Sequence, residues 1–186
     1  MKKYSLYMMM IAVALFSSTS CGDKDEDNHQ ERWMIANQQA FNAIKTNSAY
    51  KELKSPGNEG SLYYKVLSEG DGTDSIYYSS TVECFYKGWL VADYPEINFK
   101  KDHVFDKRLF DDGPPAIFSV GGVVKGWTTA LQHMKKGDKW EVWIPYQLGY
   151  GRDGSIDEYT GAIIIPGYST LVFEMEVISV TGIDGK

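Results

Sequence analysis

Apolar positions follow three regimes along this chain. Residues 6–16 form an unbroken apolar run, residues 29–46 repeat with helical spacing, and from Gly60 onward apolar residues come in short, alternating runs separated by turns. In the second regime Trp33, Ala36, Asn37, Ala40, Phe41 and Ile44 share one face of a helix expected over 29–46, with Asp27 or Asn28 as its cap. "SPGNEG", residues 55–60, then breaks the chain, and the main boundary is expected at Gly60. Beyond it, "SLYYKVLSEGDG", "STVECFYKGWL", "PAIFSV", "DKWEVWIP" and "TLVFEMEVISV" read as strands. Trp140, Val142 and Ile144 lie on one side of the fourth; Leu171, Phe173, Met175 and Val177 lie on one face of the fifth. A single short helix, Thr128 to about Met134, places Trp127, Ala130, Leu131 and Met134 in one stripe. Such a set predicts an α+β domain over 60–182, an antiparallel sheet wrapped over one helix, preceded by a helical extension in 21–59.

The first apolar run changes the picture of where this domain works. Lys2 and Lys3 precede eleven uncharged residues, Leu6 to Phe16, and Ser17, Ser18, Thr19 and Ser20 lead to Cys21. The run is shorter than the roughly 20 residues a membrane-spanning helix needs, so it reads as an export signal. It resembles a bacterial lipoprotein signal covering residues 1–20, with lipid on Cys21, although Ser18 stands where such signals usually carry Leu. An ordinary secretory signal is the alternative. Without residues 1–20 the chain has 17 basic and 25 acidic residues, a charge of −8, which leaves no basic face for nucleic acid. With Cys21 lipidated, Cys84 has no intramolecular partner, and its apolar setting makes it a buried small hydrophobe.

"CGDKDEDNHQE" reads as a solvated acidic tether. Its aspartates imitate the start of a calcium loop, but Asn28 and Met34 occupy the positions where Gly and Glu are required. Directly after a lipidated cysteine, the acidic run is either a surface-export signal or a plain spacer. "GYGRDG", Gly149 to Gly154, matches a dinucleotide-binding pattern, yet the β-branched, Gly- and Pro-containing sequence after it cannot open the helix that such a site needs. His29, His103 and His133 lack metal-ligand spacing, so neither a metal nor a cofactor is expected.

What remains is an ordered set of motifs: "FYKGWL", "VFD", "VVKGW", "LGYG" and "IIIPG" followed by "TLVF". In this order they resemble the FKBP-type peptidyl-prolyl isomerases over about Gly60 to Val180. The resemblance implies a five-to-six-stranded antiparallel half-barrel around one short helix, in agreement with the pattern above. It also implies a pocket. Tyr86 would orient Asp106, Trp127 would be the floor, and the Tyr150 hydroxyl would donate to a substrate carbonyl. Phe105, Phe118, Val123, Val124, Ile164, Ile165 and Phe173 would be the walls. Gly126 would let the backbone turn tightly beneath Trp127. Proline-containing polypeptides and macrolide immunosuppressant-type ligands are the implied partners.

Three departures bear on substrate preference. Ala116 stands where a second wall aromatic is usual. Asp111 and Asp112 fill a stretch that often holds a basic residue. The segments "VADYPEINFKKDH" and "RDGSIDEYTG" are longer than in the minimal family domain. The expected function is isomerisation of X–Pro bonds of exported or envelope proteins. The expected location is the cell envelope of a Gram-negative-type bacterium, lipid-anchored in the outer membrane, with surface exposure if the acidic run acts as an export signal. A non-catalytic peptide-binding or chaperone lipoprotein, or a structural envelope lipoprotein with a sealed pocket, are the alternatives.

Overall fold

The computed structural model describes residues 23–92 and 103–182. The signal at 1–20, Cys21 and most of the first long loop lie outside the described residues.

Helix α1 spans Asp23–Lys45. It begins six residues before the expected start and takes in the acidic run that the sequence reads as a tether. Lys45 suits the end of the helix, because the helix dipole favours positive charge there. The expected apolar stripe is the packed one. Trp33, Ala36, Asn37, Phe41 and Ile44 are all buried.

Strands follow as β1 (Lys51–Lys54), β2 (Ser61–Ser68), β3 (Thr81–Leu90), β4 (Val104–Arg108) and β5 (Ala116–Ser119). Helix α2 (Lys125–Leu131) precedes β6 (Lys139–Ile144), β7 (Ser155–Ile156), β8 (Ile163–Ile165) and β9 (Leu171–Thr181). Every strand pair described is antiparallel. The main sheet runs β1-β2-β6-β9-β3-β4, and β5 also pairs with β3. β5 takes residues 81–84 of β3 and β4 takes 86–89, so two strands share one edge. Among the described residues seven strands therefore fill six positions, against the five to six expected. β1 has no hydrophobic alternation to announce it, and it lies before the boundary expected at Gly60, paired with β2.

α2 starts and ends about three residues earlier than expected, but its stripe holds. Trp127, Ala130, Leu131 and Met134 are each at most 4% exposed and join Val82, Val142, Ile144, Leu171 and Met175 in the core. Gly126 is needed for this packing rather than for a turn. A Cβ there would lie 2.5 Å from Cγ2 of Ile144, so only glycine lets α2 approach β6 this closely. Cys84 is fully buried in the same core, and burial pushes its thiol up to about 12.

The opposite face of the sheet is closed by α1. Trp89, Val91 and Val172 form a second apolar cluster with Ala40 of α1 and with Val104 and Trp143. Two side chains fasten the helix: the Thr170 amide donates to Asn37 Oδ1 at 2.7 Å, and the Tyr50 hydroxyl donates to Glu141 Oε1 at 2.5 Å just beyond the helix end.

Candidate active site

β3 supplies the first wall. Tyr86 and Gly88 point to the same face, as residues two apart in a strand must. Gly88 faces Asp106 on one side and Phe173 on the other. A Cβ at Gly88 would lie 2.5 Å from the Phe173 ring and 2.8 Å from the Phe105 ring, so the missing side chain is the space those two rings occupy.

β4 explains how two consecutive residues reach one cavity. Gly88 pairs with Asp106 and Trp89 pairs with Val104, which leaves Phe105 unpaired in a β-bulge. Strict alternation would send Phe105 and Asp106 to opposite faces. The extra residue re-aims one of them, and both line the same cavity.

Trp127, in the first turn of α2, is the centre of the aromatic group. Its ring meets Phe118 at 5.2 Å, Phe173 at 5.2 Å and Tyr86 at 5.3 Å between centroids, all near edge-to-face. Phe105 and Phe173 meet at 5.5 Å and 88°. Edge-to-face contacts place positive ring edges on negative ring faces, which fixes each orientation. The result is a rigid cavity of about 340 Å³. Gly122, Val123 and Val124 close one side as the chain enters α2, and Tyr150 stands at the rim, 40% exposed.

The polar groups are few. The Tyr86 hydroxyl donates to Asp106 Oδ2 at 2.8 Å, and Asp106 itself is exposed. Burial raises the Tyr86 hydroxyl well above the ordinary phenol range, reinforced by the hydrogen bond to the Asp106 carboxylate. Burial and then the Asp106 charge raise Tyr150 as well. Both phenols therefore stay protonated at neutral pH and act as donors. Arg108, paired with Tyr86 across the strands, partly offsets the rise at Tyr86.

Nine of the expected residues line the cavity: Tyr86, Phe105, Asp106, Phe118, Val123, Val124, Trp127, Tyr150 and Phe173. Ile164 and Ile165 do not. β8 pairs only with β7 among the described residues, forming a separate two-stranded ribbon. Ile165 is buried in the core, whereas Ile164 is 42% exposed. Gly149 to Gly154 leads into β7 and not into a helix. Ala116 pairs with Cys84 and packs at the edge of the core.

The family model for FKBP-type peptidyl-prolyl cis-trans isomerases matches residues 73–178. The chain is 37% identical over 122 residues to the FKBP-type 22 kDa peptidyl-prolyl cis-trans isomerase of Escherichia coli, covering 66% of this chain and 51% of that protein. It is 34% identical to the FK506-binding protein of Neisseria meningitidis over 65% of this chain and 97% of that one. A crystal structure of a peptidyl-prolyl cis-trans isomerase from Pseudomonas syringae pv. tomato superposes with a TM-score of 0.62 at 29% identity, covering 81% of this chain and 95% of that one. The chain spans about half the length of the first curated relatives it matches.

Proposed function

The chain belongs to the FKBP-type peptidyl-prolyl cis-trans isomerases, and we propose that it catalyses rotation about X–Pro bonds in exported or envelope polypeptides and so assists their folding. The observation that carries this reading is the set of five aromatics in mutual contact around an apolar cavity of about 340 Å³, with Asp106 the one carboxylate among the described residues that line it.

Rotation about an X–Pro bond faces a barrier of about 20 kcal/mol, most of it lost amide resonance. At the twisted state the carbonyl is less polar and the nitrogen more pyramidal. A dry apolar site favours that state over the planar, polar one, which is differential binding of the transition state. Lowering the barrier by ~7 kcal/mol is worth about five decades of rate.

In this mechanism the proline ring rests on Trp127, with Phe105, Phe118, Val123, Val124 and Phe173 excluding water. The Tyr150 hydroxyl, held protonated, donates to a substrate carbonyl. Tyr86 fixes the Asp106 carboxylate, which faces the twisted amide. Ile165, buried in the core, acts indirectly by anchoring the β7–β8 ribbon, and Ile164 has no part in the mechanism. A macrolide of the FK506 type would compete for the same cavity. Export directed by residues 1–20 and a lipid on Cys21 would tether the domain to the envelope.

The test is isomerisation of a prolyl peptide by the purified protein. Acceleration well above the uncatalysed rate is the expected result. Peptide binding without acceleration would favour the non-catalytic peptide-binding reading. For the anchor, Cys21→Ser should abolish incorporation of labelled fatty acid in cells; unchanged labelling would exclude it.

A further inference from the structure

A second groove, larger than the first, lies on the other side of Val123. Its volume is about 530 Å³, and Val123 lines both spaces. It is lined by Thr129 of α2 and Gln132 in the turn after it, by Pro56 in the turn between β1 and β2, and by Tyr78. None of these residues belongs to the aromatic cavity.

We propose that this groove is an extended subsite that holds the segment of substrate polypeptide flanking the proline. The inference rests on the isomerase reading. Three observations select an unfolded peptide as occupant. The first is continuity: Val123 lines both spaces, so a chain leaving the cavity over Val123 enters the groove.

The second is chemistry. Val123, Pro56 and Tyr78 offer apolar contacts, whereas Gln132 offers a side-chain amide able to donate and accept. An extended peptide presents the same mixture, alternating side chains with unpaired backbone N–H and C=O groups. Ser55, also in the lining, has a buried hydroxyl with no hydrogen-bond partner among the described residues.

The third is rigidity. The Tyr78 ring packs directly on Gly121, where a Cβ would lie 2.5 Å from it, and its hydroxyl donates to the Gly121 carbonyl. Glu59 and Lys125 form a 2.6 Å ion pair on the lining, so the groove is charge-neutral and has no preference for a charged ligand. The Thr128 and Thr129 hydroxyls are engaged with the carbonyls of Val120 and Lys125, which fixes the α2 wall. The subsite is preformed, so a long substrate gains contacts without ordering the protein.

The experiment compares a prolyl tetrapeptide, which fills the cavity alone, with a prolyl dodecapeptide of the same central sequence. Affinity and isomerisation are measured for the wild-type protein, for Gln132→Trp, which fills the groove, and for Tyr78→Ser, which removes the aromatic ring from its lining. The dodecapeptide should bind about tenfold more tightly in the wild type. Both variants should lose most of that advantage through KM, with tetrapeptide turnover and thermal midpoint unchanged. If Gln132→Trp lowers the midpoint, Tyr78→Ser decides. Equal affinity for both lengths, a length effect retained in the variants, or an equal loss on both peptides would each overturn the subsite. Length-dependent binding without any turnover would overturn the isomerase reading alone and leave the groove as a peptide site.

Discussion

The Tyr86 hydroxyl donates a 2.8 Å hydrogen bond to the Asp106 carboxylate from the neighbouring strand. Asp106 is thereby held at the mouth of the aromatic cavity while one of its oxygens stays available. Asp106→Ala should lower kcat and leave peptide affinity largely intact, because the carboxylate acts on the twisted state rather than on the planar substrate. Tyr86→Phe should give a smaller loss of the same kind. Steady-state kinetics on a prolyl peptide would check both, and full activity in Asp106→Ala would remove the residue from the site.

Tyr150 and Trp127 should fail differently. Tyr150→Phe keeps the wall and removes one hydroxyl, so a loss near 1 kcal/mol, several-fold in kcat/KM, is expected with an unchanged thermal midpoint. Trp127 is 4% exposed and touches three rings. Trp127→Ala should therefore harm binding and folding together, at about 3–5 kcal/mol of stability. Parallel kinetics and calorimetry separate the two behaviours.

Gly88→Ala tests the shape of the cavity without touching its chemistry. The added methyl would collide with the Phe105 and Phe173 rings. Those rings must shift, so affinity for a prolyl peptide should fall more than stability does. Unchanged affinity would mean that the two rings do not contact substrate.

The first 59 residues should stabilise the domain without being needed for it to fold. Trp33 is 1% exposed and Asn37 binds Thr170 in a buried contact, so α1 completes the core. Loss of such an aromatic costs about 3–5 kcal/mol, against a typical total of 5–15 kcal/mol. Residues 60–182 alone should unfold in one cooperative transition at a lower temperature. Calorimetry of the shortened chain checks this, and the absence of any transition would make α1 and β1 obligatory.

Tyr50 gives a pH dependence. Its hydroxyl is pushed up to about 12, first by burial and then by donation to Glu141. The folded value lies above the ordinary value of 10, so folding favours the protonated phenol. That contribution is complete below pH 10 and is lost as pH rises toward 12. Thermal midpoints should fall across that window, and Tyr50→Phe should flatten the fall. An identical slope in the variant would show that the hydrogen bond is not the cause.

Local periodicity was enough to place the α2 stripe and the strands β3, β6 and β9, because each depends on which face a side chain takes along its own element; the nine cavity residues were legible only through the ordered motifs that resemble the FKBP-type isomerases. Pairing lies beyond that information. The bulge that turns both Phe105 and Asp106 into the cavity exists only once β4 is registered against β3. The polar, four-residue β1 becomes a strand only because β2 offers it an edge. Ile164 and Ile165 are adjacent, equally apolar residues, and their different fates follow from β8 pairing with β7 rather than with the main sheet. Gly126 shows the same limit: its sequence context suggests a turn, and only the approach of α2 to Ile144 reveals why a side chain is excluded there.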